Sequence, residues 1–130
     1  MYVGTPQDGG AGASKAFVHE RCRRMLELQS LLGFLPFPGT LNLKLDRDFD
    51  FAAPHIQADI LDRTRKGRNF DHPWAPRPCK LWPMKIDGRP CWAIRFDDKK
   101  YKFNFAEIIS DVRLREFIGE TVRLEHDALP

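Results

Sequence analysis

The stretch GFLPFPGTLNLKL, Gly33–Leu45, ends in a strict alternation. Leu41, Leu43 and Leu45 fall on one face of an extended chain and Asn42 and Lys44 on the other, which marks a half-buried β-strand. The approach is crowded with turn residues: Pro36 and Pro38 stiffen the backbone, and Gly39 permits a tight turn. Thr40 and Asn42 lie two apart, so their side-chain oxygens share a strand face. Two readings of that pair stay open. It is the polar edge of a turn and strand, or it is a pair of neutral oxygen ligands for a hard cation such as Mg2+, whose other ligands come from substrate phosphates.

Upstream, residues 1–15 read as a small-residue leader. Val18, Cys22, Met25, Gln29 and Leu32 then recur near helical spacing, widened by Leu26, Leu28 and Leu31, which predicts a helix stopped by Gly33. Downstream, HIQADIL (55–61) is a weaker strand candidate, and the polar, proline-rich 62–78 segment reads as a long surface loop. CKLWPMKI (79–86) and CWAIRF (91–96) flank Asp87-Gly88, the signature of a β-hairpin. FAEIISDVRLREFIG (105–119) reads as holding a short helix, with Ser110 or Asp111 as its N-cap and Gly119 as its stop; ETVRLEH (120–126) is a last strand. Strands outnumber helices and no regular helices separate them. The expected fold is mainly β, a small barrel with one longer and one short helix.

The chain has 130 residues, 42% apolar and 30% charged, which suits one domain (1–130) with a real core. A net charge of +3 favours anionic ligands weakly and falls short of a nucleic-acid-binding surface. Three widely spaced cysteines argue against a disulfide framework or a zinc knuckle. No apolar signal core and no membrane-length apolar run is present, so a cytoplasmic protein with no membrane partner is expected.

Other candidates carry open alternatives. DGGAGASK (8–15) is a flexible tail or a phosphate-cradling loop in which Lys15 adds charge, although it is not a Walker A sequence. Arg63, Arg65, Lys66 and Arg68, near Phe70 and Trp74, form a solvated run or a loop that holds a phosphate or a nucleic-acid strand. The four histidines are scattered. Glu107 is a helix-surface residue or a buried carboxylate able to act as a base.

Taken together, LGFLPFPGTLNLKL resembles the signature of the archaeal-type CTP-dependent riboflavin kinases, close to L-G-F-x-P-Y-x-G-T-L-N-x-x-L, with Phe37 at the tyrosine position. EIISDVRLREFIG is similar to that family's ending, E-I-I-A-P-x-x-L-R-E-x-L, and GGAGASK stands where the family has G-x-G-E-G. The resemblance covers roughly half the chain. It implies a six-stranded cradle-loop β-barrel that transfers the γ-phosphate of CTP to the 5′-hydroxyl of riboflavin, giving FMN and CDP. It implies Mg2+ at Thr40 and Asn42, and nucleotide contacts at Gly10, Gly12, Pro38 and Gly39, with Lys15 beside them. Glu107 is the candidate catalytic base. Where the family has Thr-x-His, this chain reads KKYKFNFAE, which makes Tyr101 and Asn104 the candidate acceptor-side residues. The alternatives are a kinase of another hydroxyl acceptor and a non-catalytic barrel that binds a nucleotide or a partner.

Overall fold

The computed structural model describes residues 1–7, 23–62, 75–96 and 102–127. Among the described residues, seven strands and one α-helix are laid out as β1 (Tyr2–Gln7), α1 (Arg23–Leu32), β2 (Leu41–Leu45), β3 (Ile56–Asp62), β4 (Ala75–Ile86), β5 (Arg89–Phe96), β6 (Phe105–Ile109) and β7 (Val122–His126), with a 3-10 turn at Leu114–Glu116. Every pairing is antiparallel. The order is β3-β4-β5-β6-β2-β1-β7, and β7 also pairs with β4. Six strands therefore close into a barrel, and β3 extends the sheet outside the closure.

Strand β4 makes both arrangements possible. Along one edge its first half, Ala75–Leu81, carries β3, and its last turn, Met84–Ile86, carries β7. The expected 62–78 loop is corrected at its end, because Ala75–Pro78 belong to this strand. Pro76 and Pro78 lack N–H donors, yet they sit before the described β5 register begins at Cys79, where the ladder is one-sided and tolerates them. The expected leader is corrected too: Tyr2–Gln7 is a strand hydrogen-bonded between β2 and β7.

The alternating residues build two cores. Leu43, Leu45, Trp82, Met84, Ile86, Cys91, Ala93, Ala106, Ile108, Val122 and Leu124 fill the barrel. On the outside, Met25 and Leu28 of α1 pack with Ile60, Cys79, Leu81, Ile94, Phe96 and Ile109. The helix stripe differs from the spacing first read: Gln29 and Leu26 face solvent, and Leu31 and Leu32 are partly buried. Gly33, at φ +83°, ends the helix as expected, and its N–H returns to Gln29 O at 2.9 Å. Asp87 and Gly88 both take positive φ, the turn that suits a two-residue hairpin.

The helical reading of 105–119 is overturned for its first third. Phe105–Ile109 is a central strand, covered by the barrel core inside and α1 outside. A strand buried on both faces loses its alternation, so Glu-Ile-Ile resembles a buried helix by pattern alone. The helical piece shrinks to the 3-10 turn, which Arg113 precedes without a side-chain cap and Phe117 ends, so neither Ser110, Asp111 nor Gly119 bounds it. Among the described residues no helix is long and apolar enough to cross a membrane.

One end of the barrel holds an aromatic cluster. Tyr2 stacks on Phe49 at 5.5 Å, and its hydroxyl meets His126 Nε2 at 3.1 Å while accepting the Asp50 N–H at 2.8 Å. Burial lowers the His126 pKa below its ordinary 6.5, against the pull of Asp50. A histidine held neutral in the fold binds a proton more readily when unfolded, so stability falls as pH drops below about 6.5. The urea midpoint is expected to decrease from pH 7.5 to pH 5, and His126→Gln to flatten that decrease. An equal decrease in the variant would remove His126 as its source.

Candidate functional site

The turn that precedes β2 is tied to the end of β6. Pro36 is buried, and the Phe37 N–H donates to Ser110 O at 2.7 Å. This bond continues the β2–β6 pairing, and a cavity of about 230 Å3 opens beside it at one mouth of the barrel. Pro38, Gly39, Thr40 and Asn42 line it, with Gln7 from β1 and Ser110, Val112, Arg113, Leu114 and Arg115 from beyond β6. Leu41, Ile108, Val112 and Leu114 give it an apolar side. Its size suits part of a nucleotide rather than a whole one, since complete ligand sites run from about 300 Å3.

Thr40 and Asn42 converge as the strand pleat predicts. The Thr40 hydroxyl donates to Asn42 Oδ1 at 3.4 Å, and Asn42 is 4% exposed. Asn42 stands between Gln7 of β1 and Glu107 of β6 in the sheet register. Two neutral oxygens at this separation are close to the ~3 Å between adjacent ligands of an octahedral Mg2+. Among the described residues no three His, Cys, Asp or Glu side chains gather as a metal cage. A cation held by Thr40 and Asn42 would take the rest of its shell from phosphate and water, and the neutral donor set fits that mode of binding.

The charge of the lining points the same way. Arg113 and Arg115 face the cavity, and among the described lining residues there is no carboxylate. Two arginines beside neutral oxygens and an apolar side are a lining chemically compatible with a polyanion.

The other sequence-predicted residues scatter. Glu107 is buried at 3% exposure, opposite Asn42 on the outer face of the barrel, and does not line the cavity. Asn104 lies at the far end of the β2–β6 ladder, where its carbonyl accepts the Leu45 N–H at 2.7 Å and its side-chain amide donates to Leu45 O at 3.5 Å. Three residues of strand, roughly 10 Å, separate that end from Asn42. Gly10, Gly12, Lys15 and Tyr101, and the basic run from Arg63 to Arg68 with Phe70 and Trp74, lie outside the described residues. Trp82 fills the barrel, and Trp92 is half-buried against His55. A second, shallower depression beside the Asp87-Gly88 turn and Phe117 contains none of these residues.

Sequence reasoning missed Arg113, Arg115 and Gln7. The arginines lie where the chain leaves β6 and enters the 3-10 turn, and Val112 to Leu114 line the same cavity, so no periodicity in the sequence marks them out.

A closed antiparallel barrel of six strands defines the class, the small β-barrel domains. The chain belongs to the CTP-dependent riboflavin kinase family, whose family model, described as a domain of unknown function (DUF120), matches residues 9–124. It is 38% identical over 88 residues to a riboflavin kinase of Methanocella arvoryzae, covering 68% of this chain and 38% of that one. It is 26% identical over 103 residues to a riboflavin kinase of Methanopyrus kandleri, covering 76% and 65%, and 30% identical over 128 residues to one of Thermoplasma acidophilum, covering 89% and 53%. The chain thus spans between 38% and 65% of the length of these relatives and is a divergent member.

Proposed function

We propose that this chain is a Mg2+-dependent CTP:riboflavin 5′-phosphotransferase domain. The observation that carries the reading is the convergence of Thr40 and Asn42 on a cavity lined by Arg113 and Arg115, in a chain of the CTP-dependent riboflavin kinase family. In the reaction, the bond between the γ-phosphorus of CTP and its bridging oxygen breaks. A bond from that phosphorus to the riboflavin 5′-oxygen forms, and CDP leaves.

Phosphoryl transfer asks for positioning and charge neutralisation more than for covalent chemistry. Thr40 and Asn42 are the residues that hold Mg2+. Bound there, the cation supplies Lewis acidity to the phosphate oxygens, undiminished by any anionic protein ligand. Arg113 and Arg115 bind the phosphate chain from the opposite wall. Pro38 and Gly39 shape the turn along which it lies, and Gly10, Gly12 and Lys15 complete the nucleotide contacts. Glu107, the carboxylate that the register sets beside Asn42, takes the proton of the acceptor hydroxyl. Tyr101 is assigned to the acceptor side. Asn104 is assigned there through the segment it anchors, because its side chain already bonds Leu45 O.

A cytoplasmic setting agrees with two buried thiols, Cys79 and Cys91; burial pushes the Cys91 thiol up to about 12 and leaves it unreactive. The deciding experiment incubates the protein with riboflavin, Mg2+ and either CTP or ATP, and measures FMN. CTP-dependent FMN is the expected result. CTP binding without FMN, followed by phosphate transfer to another hydroxyl compound, would move the reading to a kinase with a different acceptor. Failure to bind CTP in the presence of Mg2+ would overturn both.

A further inference from the structure

Ser110 and Asp111 have the composition of a helix cap, yet they cap no helix. Ser110 follows the last residue of β6, is 4% exposed, and lines the same cavity as Thr40 and Asn42. Its hydroxyl donates to Asp111 Oδ1 at 3.2 Å, and the Val112 N–H donates to its oxygen at 3.4 Å. A serine hydroxyl offers one proton and two lone pairs. With the proton and one lone pair engaged, a single lone pair is left for a ligand, so at this cavity Ser110 acts as an acceptor. Its backbone carbonyl, also an acceptor, is engaged by the Phe37 N–H.

A phosphate oxygen finds no donor in this hydroxyl. It does find donors at Arg113 and Arg115 of the same lining. The cavity therefore has a donor-rich region suited to phosphate and an acceptor suited to an N–H or O–H group. We infer that Ser110 is a specificity-determining residue that accepts a hydrogen bond from the nucleoside part of the donor nucleotide, and that Asp111 sets this polarity by holding the serine proton. The inference rests on the nucleotide reading given above. The recognised group is a hydrogen-bond donor, either a sugar hydroxyl or the exocyclic amine of the base.

The test is calorimetric and independent of turnover. The whole chain, with Mg2+, is titrated with CTP, with 2′-deoxy-CTP, which lacks one sugar hydroxyl, and with UTP, which lacks the amine. The wild-type protein is expected to prefer CTP over one analogue by about five- to tenfold, the range of one neutral hydrogen bond. Ser110→Ala should lose that preference while keeping its melting temperature. Asp111→Ala changes an exposed side chain and leaves the hydroxyl in place but frees its proton; it should also reduce the preference, and it carries the test if Ser110→Ala does not fold. Equal wild-type affinity for all three nucleotides, or an unchanged preference in the variants, overturns the inference. Binding with the expected preference but no FMN formation would overturn the riboflavin kinase reading and leave the role of Ser110 standing. No binding of any nucleotide overturns both.

Discussion

Asn42→Ala is expected to lower CTP-dependent FMN formation by about 100-fold or more while the protein stays folded. Metal-assisted charge stabilisation in phosphoryl transfer is worth several kcal/mol, and every ~1.4 kcal/mol is tenfold in rate. In the proposed site Asn42 Oδ1 is one of two oxygens that the described residues offer the cation, so its loss would halve that share of the metal shell. Thr40→Ala should act in the same direction. Because both residues serve one ion, the double variant should be scarcely worse than the more damaged single one; groups that act as a unit are non-additive. Raising the Mg2+ concentration should recover part of the activity of either single variant, since the defect lies in metal affinity. A thermal melt checks the fold, because Asn42 is buried between β1 and β6. Full activity in Asn42→Ala, or two losses that multiply in the double variant, would remove the pair from the metal site.

The second large effect is on stability. Trp82→Ala should destabilise the barrel by about 3–5 kcal/mol, the range for truncating a large buried aromatic. Trp82 is 2% exposed and packs edge-on against Phe49 at 5.3 Å and Phe51 at 6.2 Å. Its indole N–H donates to Ala52 O at 3.2 Å, so truncation also leaves that carbonyl without its donor. Against the 5–15 kcal/mol typical of a domain, this is a large fraction of the total. Denaturant unfolding should show a lowered midpoint with little change in slope. Trp82→Phe keeps most of the packing and should cost far less; if the two variants unfold alike, the indole does not fill the barrel as described.

Parts of this architecture were legible in the chain for definite reasons. Leu41, Leu43 and Leu45 alternate because β2 has one face on the barrel core and Asn42 on the other, so the strand and the shared face of Thr40 and Asn42 both follow from the pleat. Asp87-Gly88 marks its hairpin because few other pairs accept two positive φ values. The strand Tyr2–Gln7 was invisible: a glycine and a proline interrupt it, and only its neighbours β2 and β7 make it a strand. The mouth of the cavity was half legible. Pro38, Gly39, Thr40 and Asn42 are consecutive or nearly so, whereas Ser110, Arg113 and Arg115 reach the same space because β2 pairs with β6 and the Phe37–Ser110 bond continues that pairing. Asn104 shows the opposite failure, a polar residue near a matched block whose side chain serves the ladder.

The seam between the two ends of the chain has a consequence for how the protein is made. Tyr2 pairs with Leu124, and β7 joins β1 on one side to β4 on the other. A ribosome has to deliver residue 126 before the sheet can seal, so the first strand emerges long before its partner. Until then β1 and β4 expose open edges, and such edges invite pairing with other chains. Closure is therefore expected only after β7 has been made, and this long-range pairing predicts slow folding. Nascent chains stalled before Val122 should be protease-sensitive throughout, and resistance should appear in one step once β7 is free to dock.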